Sequence, residues 1–119
     1  MIRQLKFVSI PTRDQEKALA FWTGKMGFKV ATDQPMGAQR WIELSIPGAQ
    51  TGVVLFTPEG QEDRIGTFFN GSFQCDDVDF TYRQLSERGV DISPPEKQPW
   101  GTFCRFQDPD GNSFILSGR

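Results

Sequence analysis

Histidine is absent from the sequence, and that absence removes more chemistry than any single residue present adds. Histidine is the commonest transition-metal ligand and the usual general base near neutral pH, so His-based triads, His-ligated zinc and facial-triad iron are all excluded. Cysteine is nearly absent as well. Cys75 and Cys104 fall in different expected strands without C-x-x-C spacing, which reads as two buried reduced thiols rather than a disulfide framework. No apolar run reaches signal-peptide or bilayer length, so a soluble, cytoplasmic protein with no membrane association is expected. An excess of one charge is missing too: 13 basic residues against 15 acidic ones leave a formal charge of −2. Without a basic footprint for phosphate backbones, nucleic acid is not an expected partner.

What is present is a repeat. Gln34-Pro35-Met36-Gly37 recurs as Gln98-Pro99-Trp100-Gly101, an offset of 64 residues, and each copy is followed by an arginine and an aromatic, Arg40-Trp41 and Arg105-Phe106. Upstream of each copy a helix-like stretch ends in glycine and an apolar residue, Gly27-Phe28 and Gly89-Val90. Downstream, a Pro/Gly turn precedes an apolar strand, Val53 to Phe56 in one half and Phe114 to Leu116 in the other. The chain is read as a duplication, residues 1–57 and 66–119, within one domain of 119 residues. Pro58 to Ile65, polar and charged, is the only candidate linker and is too short to separate independent domains.

In the first half, a strand over Leu5 to Ile10 leads to a helix capped by Asp14, with Ala18, Leu19, Trp22 and Met26 near helical spacing and Gly27 as the stop. Strands near Phe28 to Thr32, Gln39 to Ile46 and Gly52 to Thr57 follow. In the second half, a strand over Phe68 to Cys75 leads to a helix capped by Asp77, with Val78, Thr81, Tyr82 and Leu85 on one face and Gly89 at its end. Three short strands complete it, the last turn being Asp108-Pro109-Asp110-Gly111. Each half is βαβββ and the class is α+β. Such a unit covers one sheet face with its helix and leaves the other bare, so two units are expected to present their bare faces to a shared concave cup where ligands bind.

The sequence resembles the glyoxalase/bleomycin-resistance/dioxygenase group, the vicinal oxygen chelate superfamily. The carriers are Phe7 to Asp14, Ala18-Leu19-Ala20-Phe21-Trp22, Met26-Gly27-Phe28, Cys75 to Asp79 and Phe106 to Asn112, which in order and spacing span almost the whole chain. In catalytic members of that family, one side chain from the first strand and one from the last strand of each half, mostly His and Glu, hold a divalent metal. By motif the matching positions here are Phe7, Leu55, Asn70 and Ile115. Three of these carry no lone pair and one asparagine amide is a weak ligand, so no metal or other cofactor is expected. Shifting the alignment by one residue supplies no better donors.

Strand alternation places Phe7 and Ser9, then Leu55, then Phe68, Asn70 and Ser72, then Ser113 and Ile115 on the cup face. On the third strand, Ile42, Leu44 and Ile46 read as helix-facing, which turns Trp41 and Glu43 to the cup, with Met36 and Trp100 at its rim. A mixed apolar and uncharged polar lining suits a planar or aromatic organic molecule held by burial and a few hydrogen bonds. Trp41 and Trp100 either sandwich such a ligand or close the core or a subunit interface. Arg105 and Arg40 are the candidate cations, and Glu43 is the one carboxylate placed to act as a general base. It does so in a metal-free enzyme, or else forms a structural ion pair. The resemblance further implies a homodimer. Three functions remain in competition: binding and sequestration of an antibiotic-like molecule; an enzyme of the same superfamily, metal-dependent through other ligands or metal-free through Glu43; and an interaction or regulatory module whose vestigial cup is filled by Phe7, Phe68 and Trp100.

Overall fold

The computed structural model describes residues 1–67 and 71–118. Strand β1 (Phe7–Pro11) leads into helix α1 (Gln15–Ala20), which continues as a π-helical turn over Phe21–Lys25; strands β2 (Lys29–Met36), β3 (Gln39–Ser45) and β4 (Gly52–Phe56) follow. Asp14 caps α1 by accepting from Lys17 N at 3.1 Å, and Gly27, at φ 82°, supplies the left-handed residue that ends the helical stretch. The sheet order is β1-β4-β3-β2, with β1 parallel to β4 and the other pairs antiparallel.

The second half repeats this plan with one interruption. Strand β5 (Ser72–Gln74) leads into helix α2 (Val78–Glu87), and β6 (Asp91–Ile92), β7 (Glu96–Gln98), β8 (Gly101–Gln107) and β9 (Ser113–Gly118) follow. Asp77 caps α2 by accepting from Phe80 N at 3.0 Å, so the acidic cluster there serves a helix start. Four strands follow α2 where three are expected, because Pro94-Pro95 between β6 and β7 offers no N–H to a ladder. The sheet order is β5-β9-β8-β6, with β7 paired to β8.

Both halves contribute to one core. Ile10, Ile42, Leu44 and Leu55 from the first sheet share it with Cys104, Phe106, Phe114 and Leu116 from the second. Trp22 is fully buried between them. Its ring stacks on Phe28 at 5.4 Å and meets Phe114 edge-on at 5.2 Å. The Trp22 Nε1 donor has no hydrogen-bond acceptor among the described residues.

A polar clasp joins the end of β1 to the turn before β9. Asn112 is fully buried, and its Nδ2 donates to Pro11 O at 2.8 Å and to Asp108 Oδ2 at 2.9 Å. Its Oδ1 accepts from Gly66 N at 3.0 Å. Asp110 Oδ1 accepts from Arg13 N at 2.9 Å. The stretch read as a linker is therefore fastened at its end, where Ile65 is buried and Arg13 Nη2 donates to Glu62 O. Among the described residues, no helix is long and apolar enough to cross a membrane.

Candidate functional site

The strand registers decide which side chains share the face not covered by helices. Ser9 pairs with Val54 and Val54 with Glu43, while Thr32 pairs with Glu43, so these four form one row across the first open face. Phe7 lies on the same face two residues from Ser9, and its ring meets that of Trp41 edge-on at 5.6 Å. Glu43 is half-buried and forms no hydrogen bond or ion pair among the described residues.

Leu55 is a correction. It pairs with Ile10 and Ile42 and lies fully buried in the core, on the helix side of the sheet; Val54 and Phe56 take the open face instead. Val53, Val54 and Leu55 are all buried, so an apolar residue stands on each face in turn and alternation carries no parity signal there.

The second open face is better defined. Ser72 pairs with Ile115 and Ile115 with Arg105, forming a row flanked by Ser113 paired with Gln107 and by Ser117 paired with Phe103. Trp100, in the two-residue turn between β7 and β8, stacks on Phe103 at 5.6 Å with 20° between planes. Arg105 then sits 5.3 Å over the other ring partner, Phe103, and its Nη1 lies 3.7 Å from Glu96. Trp100 remains 68% exposed, held out as a flat apolar surface. Beneath it a pocket of about 360 Å³ is lined by Ser72, Gln74, Ser117 and Gly118. Gly118 is required there: its backbone passes so close to Cys75 O that no Cβ fits. Phe68 and Asn70 lie outside the described residues.

Of the expected site residues, the fold groups Phe7, Ser9, Trp41 and Glu43 on one open face and Ser72, Trp100, Arg105, Ser113 and Ile115 on the other. Among the described residues, the pocket under Trp100 is lined from the second half alone. Sequence reasoning missed Phe103, whose signal was its place two residues before Arg105 on the same strand face. Arg40 is committed elsewhere: its Nε and Nη2 clamp Asp33 at 3.0 and 2.6 Å and its Nη1 reaches Glu16 at 2.6 Å. The Arg40 hydrogen bonds hold the Asp33 carboxyl below its usual range.

The residues do not suit a metal. Phe7, Leu55 and Ile115 carry no donor atom, and no group of three His, Cys, Asp or Glu residues is placed to hold an ion among the described residues. Burial, then the nearby Cys75 and Asp79, push the Cys104 thiol up to about 11, so it stays protonated and inert.

The comparisons with known proteins agree with this architecture. A model of the Glyoxalase/Bleomycin resistance protein/Dioxygenase superfamily matches residues 4–116. YetH, an uncharacterized protein of Bacillus subtilis, is 38% identical over 98% of each chain. TnmS3, an antibiotic binding protein from Streptomyces sp. CB03234, is 36% identical, with a TM-score of 0.88 over 98% of this chain and 96% of its own. A superfamily member from Sphaerobacter thermophilus is 37% identical, with a TM-score of 0.87 over 99% of this chain and 98% of its own. The chain belongs to the Glyoxalase/Bleomycin resistance protein/Dioxygenase superfamily.

Proposed function

We propose that this protein is a metal-independent binding protein for a planar or aromatic organic molecule, and that it acts in the cytoplasm by sequestering an antibiotic-like compound. The observation that carries this reading is the exposed Trp100, which lines the pocket of Ser72, Gln74 and Ser117 and stacks on Phe103, itself covered by the Arg105 guanidinium. Stacked aromatic faces beside hydroxyls and one amide bind flat ligands by burial plus directional hydrogen bonds. Phe7, Ser9, Trp41 and Glu43 form the complementary half on the other open face, with Ile115 and Ser113 flanking Arg105. The description of TnmS3 as an antibiotic binding protein supports the assignment.

Each half-site is open on its own, and a homodimer in which a second copy completes the cup accounts for the exposed tryptophan. Titrating a panel of planar aromatic drugs while following tryptophan fluorescence and melting temperature tests the reading. Saturable quenching with thermal stabilisation by at least one compound is expected; a silent panel would overturn it.

A second reading keeps Glu43 as a general base in a metal-free proton transfer. Its half-buried place on an open face, without a protein partner among the described residues, favours that chemistry over an ion pair. Full turnover of any discovered substrate by a Glu43→Gln variant would remove it.

A further inference from the structure

We propose a second ligand site at the seam between the two halves, one that takes a small apolar carboxylate. Between α2 and β5, on the other side of Phe73 and Gln74 from Trp100, lies a cavity of about 440 Å³, within the range of small-molecule sites, roughly 300–1,000 Å³. Met26 and Phe28 wall it from the first half, and Phe73, Phe80 and Leu85 from the second. Phe80 is the anomaly that points to an occupant. It projects from α2 with 52% exposure beside the half-buried Met26 and Phe73 and the buried Phe28 and Leu85, and a ligand seated in the cavity would remove that ring from water.

The charge at the rim sets the ligand class. Among the described residues, Arg88 is the only charged one lining the cavity. Its Nη1 is fixed by donating to Lys25 O at 2.8 Å, and no carboxylate pairs with it among the described residues. The Lys25 ammonium lies beside Gly89, 3.5 Å from where a Cβ would stand there, adding a second positive charge at this end of α2. A greasy pocket ending in an anchored guanidinium selects an apolar body with an anionic, planar head. Gln84 and Thr81, also in the lining, can share the head's hydrogen bonds. The cavity shares Phe73 and Gln74 with the pocket under Trp100, but its cationic end at Arg88 is its own, and it does not rest on the binding function proposed above.

The test uses the full chain with octanoate and octan-1-ol as probes, read by calorimetry and by amide and indole NMR shifts. Octanoate is expected to saturate at one per chain and to shift the amides of Thr81, Gln84 and Arg88. The indole N–H of Trp22, which packs against Phe28 and Phe73, should shift with them. Octan-1-ol should bind about tenfold more weakly, the worth of one charge-assisted pair. Arg88→Gln should lose about tenfold for octanoate and nothing for octan-1-ol. Should that variant fail to fold, Thr81→Trp fills the cavity and should abolish both. Trp100→Ala should leave octanoate affinity unchanged, which separates this site from the cup. Absence of saturation, equal affinity for the two probes, or loss of octanoate binding in Trp100→Ala would overturn the proposal. So would a halved mass in solution for Phe80→Glu, because the groove would then be an interface between copies.

Discussion

The Asn112 side chain donates to the Pro11 carbonyl at 2.8 Å across 101 residues of sequence, tying the turn before the last strand to the end of the first. The same side chain accepts from Gly66 N, so three segments meet on one buried amide. Replacing it with alanine leaves a buried carbonyl and a buried N–H without partners. Asn112→Ala is expected to cost about 3 kcal/mol of unfolding free energy, read as a lower urea midpoint at unchanged slope. A loss below about 0.5 kcal/mol, the scale of an ordinary surface substitution, would show that the clasp is ornamental.

Asp108, the clasp's carboxylate, is 6% exposed, and burial raises its pKa above 3.8 against the hydrogen bonds from Asn112 and Asp110 that favour the anion. The folded state therefore holds this proton to higher pH than the unfolded chain. The contribution to stability is fully present below 3.8 and is lost as pH rises through the raised folded value. The difference in urea midpoint between the wild type and Asp108→Asn isolates it: relative to the variant, the wild type should weaken as pH climbs above 3.8. A difference that stays flat with pH would contradict this.

Trp100 is exposed and lies in a turn, so its removal should hardly touch stability. Trp100→Ala is expected to shift the urea midpoint by no more than a surface change does, about 0.5 kcal/mol. The same variant should weaken a planar ligand about tenfold, one lost stacking contact of about 1.4 kcal/mol. Equal losses in stability and binding would assign the ring to the fold instead.

Sedimentation equilibrium tests the completed cup. A dimer is expected near 27 kDa, twice the 13.5 kDa of one chain. A single 13.5 kDa species with full ligand affinity would leave each half-site to work alone.

The fold was legible because the duplication writes the same signals twice: an aspartate cap, a glycine stop and a turn at matched positions. Asp14, Asp77, Gly27 and Gly89 all perform those roles. The open faces were legible where polar and apolar residues alternate, as in Ser113, Ile115 and Ser117 against Phe114 and Leu116. At Val53-Val54-Leu55 both faces are apolar, and alternation could not show that Leu55 turns inward. Arg40 looked like a free cation because its partners Asp33 and Glu16 come from a facing strand and a helix, relationships that exist only after folding. The break between β6 and β7 was written in Pro94-Pro95 but masked by the symmetry expected of the repeat.

The central claim is that binding resides in the aromatic half-sites and needs no metal. The most direct measurement is titration of the planar aromatic panel into chelator-treated protein, followed by nickel, zinc, manganese or iron. The account predicts saturable binding in the chelated protein, unchanged when each metal is added, with no stoichiometric metal uptake. Binding or turnover that begins only on adding metal, with one ion held tightly per chain, would contradict it.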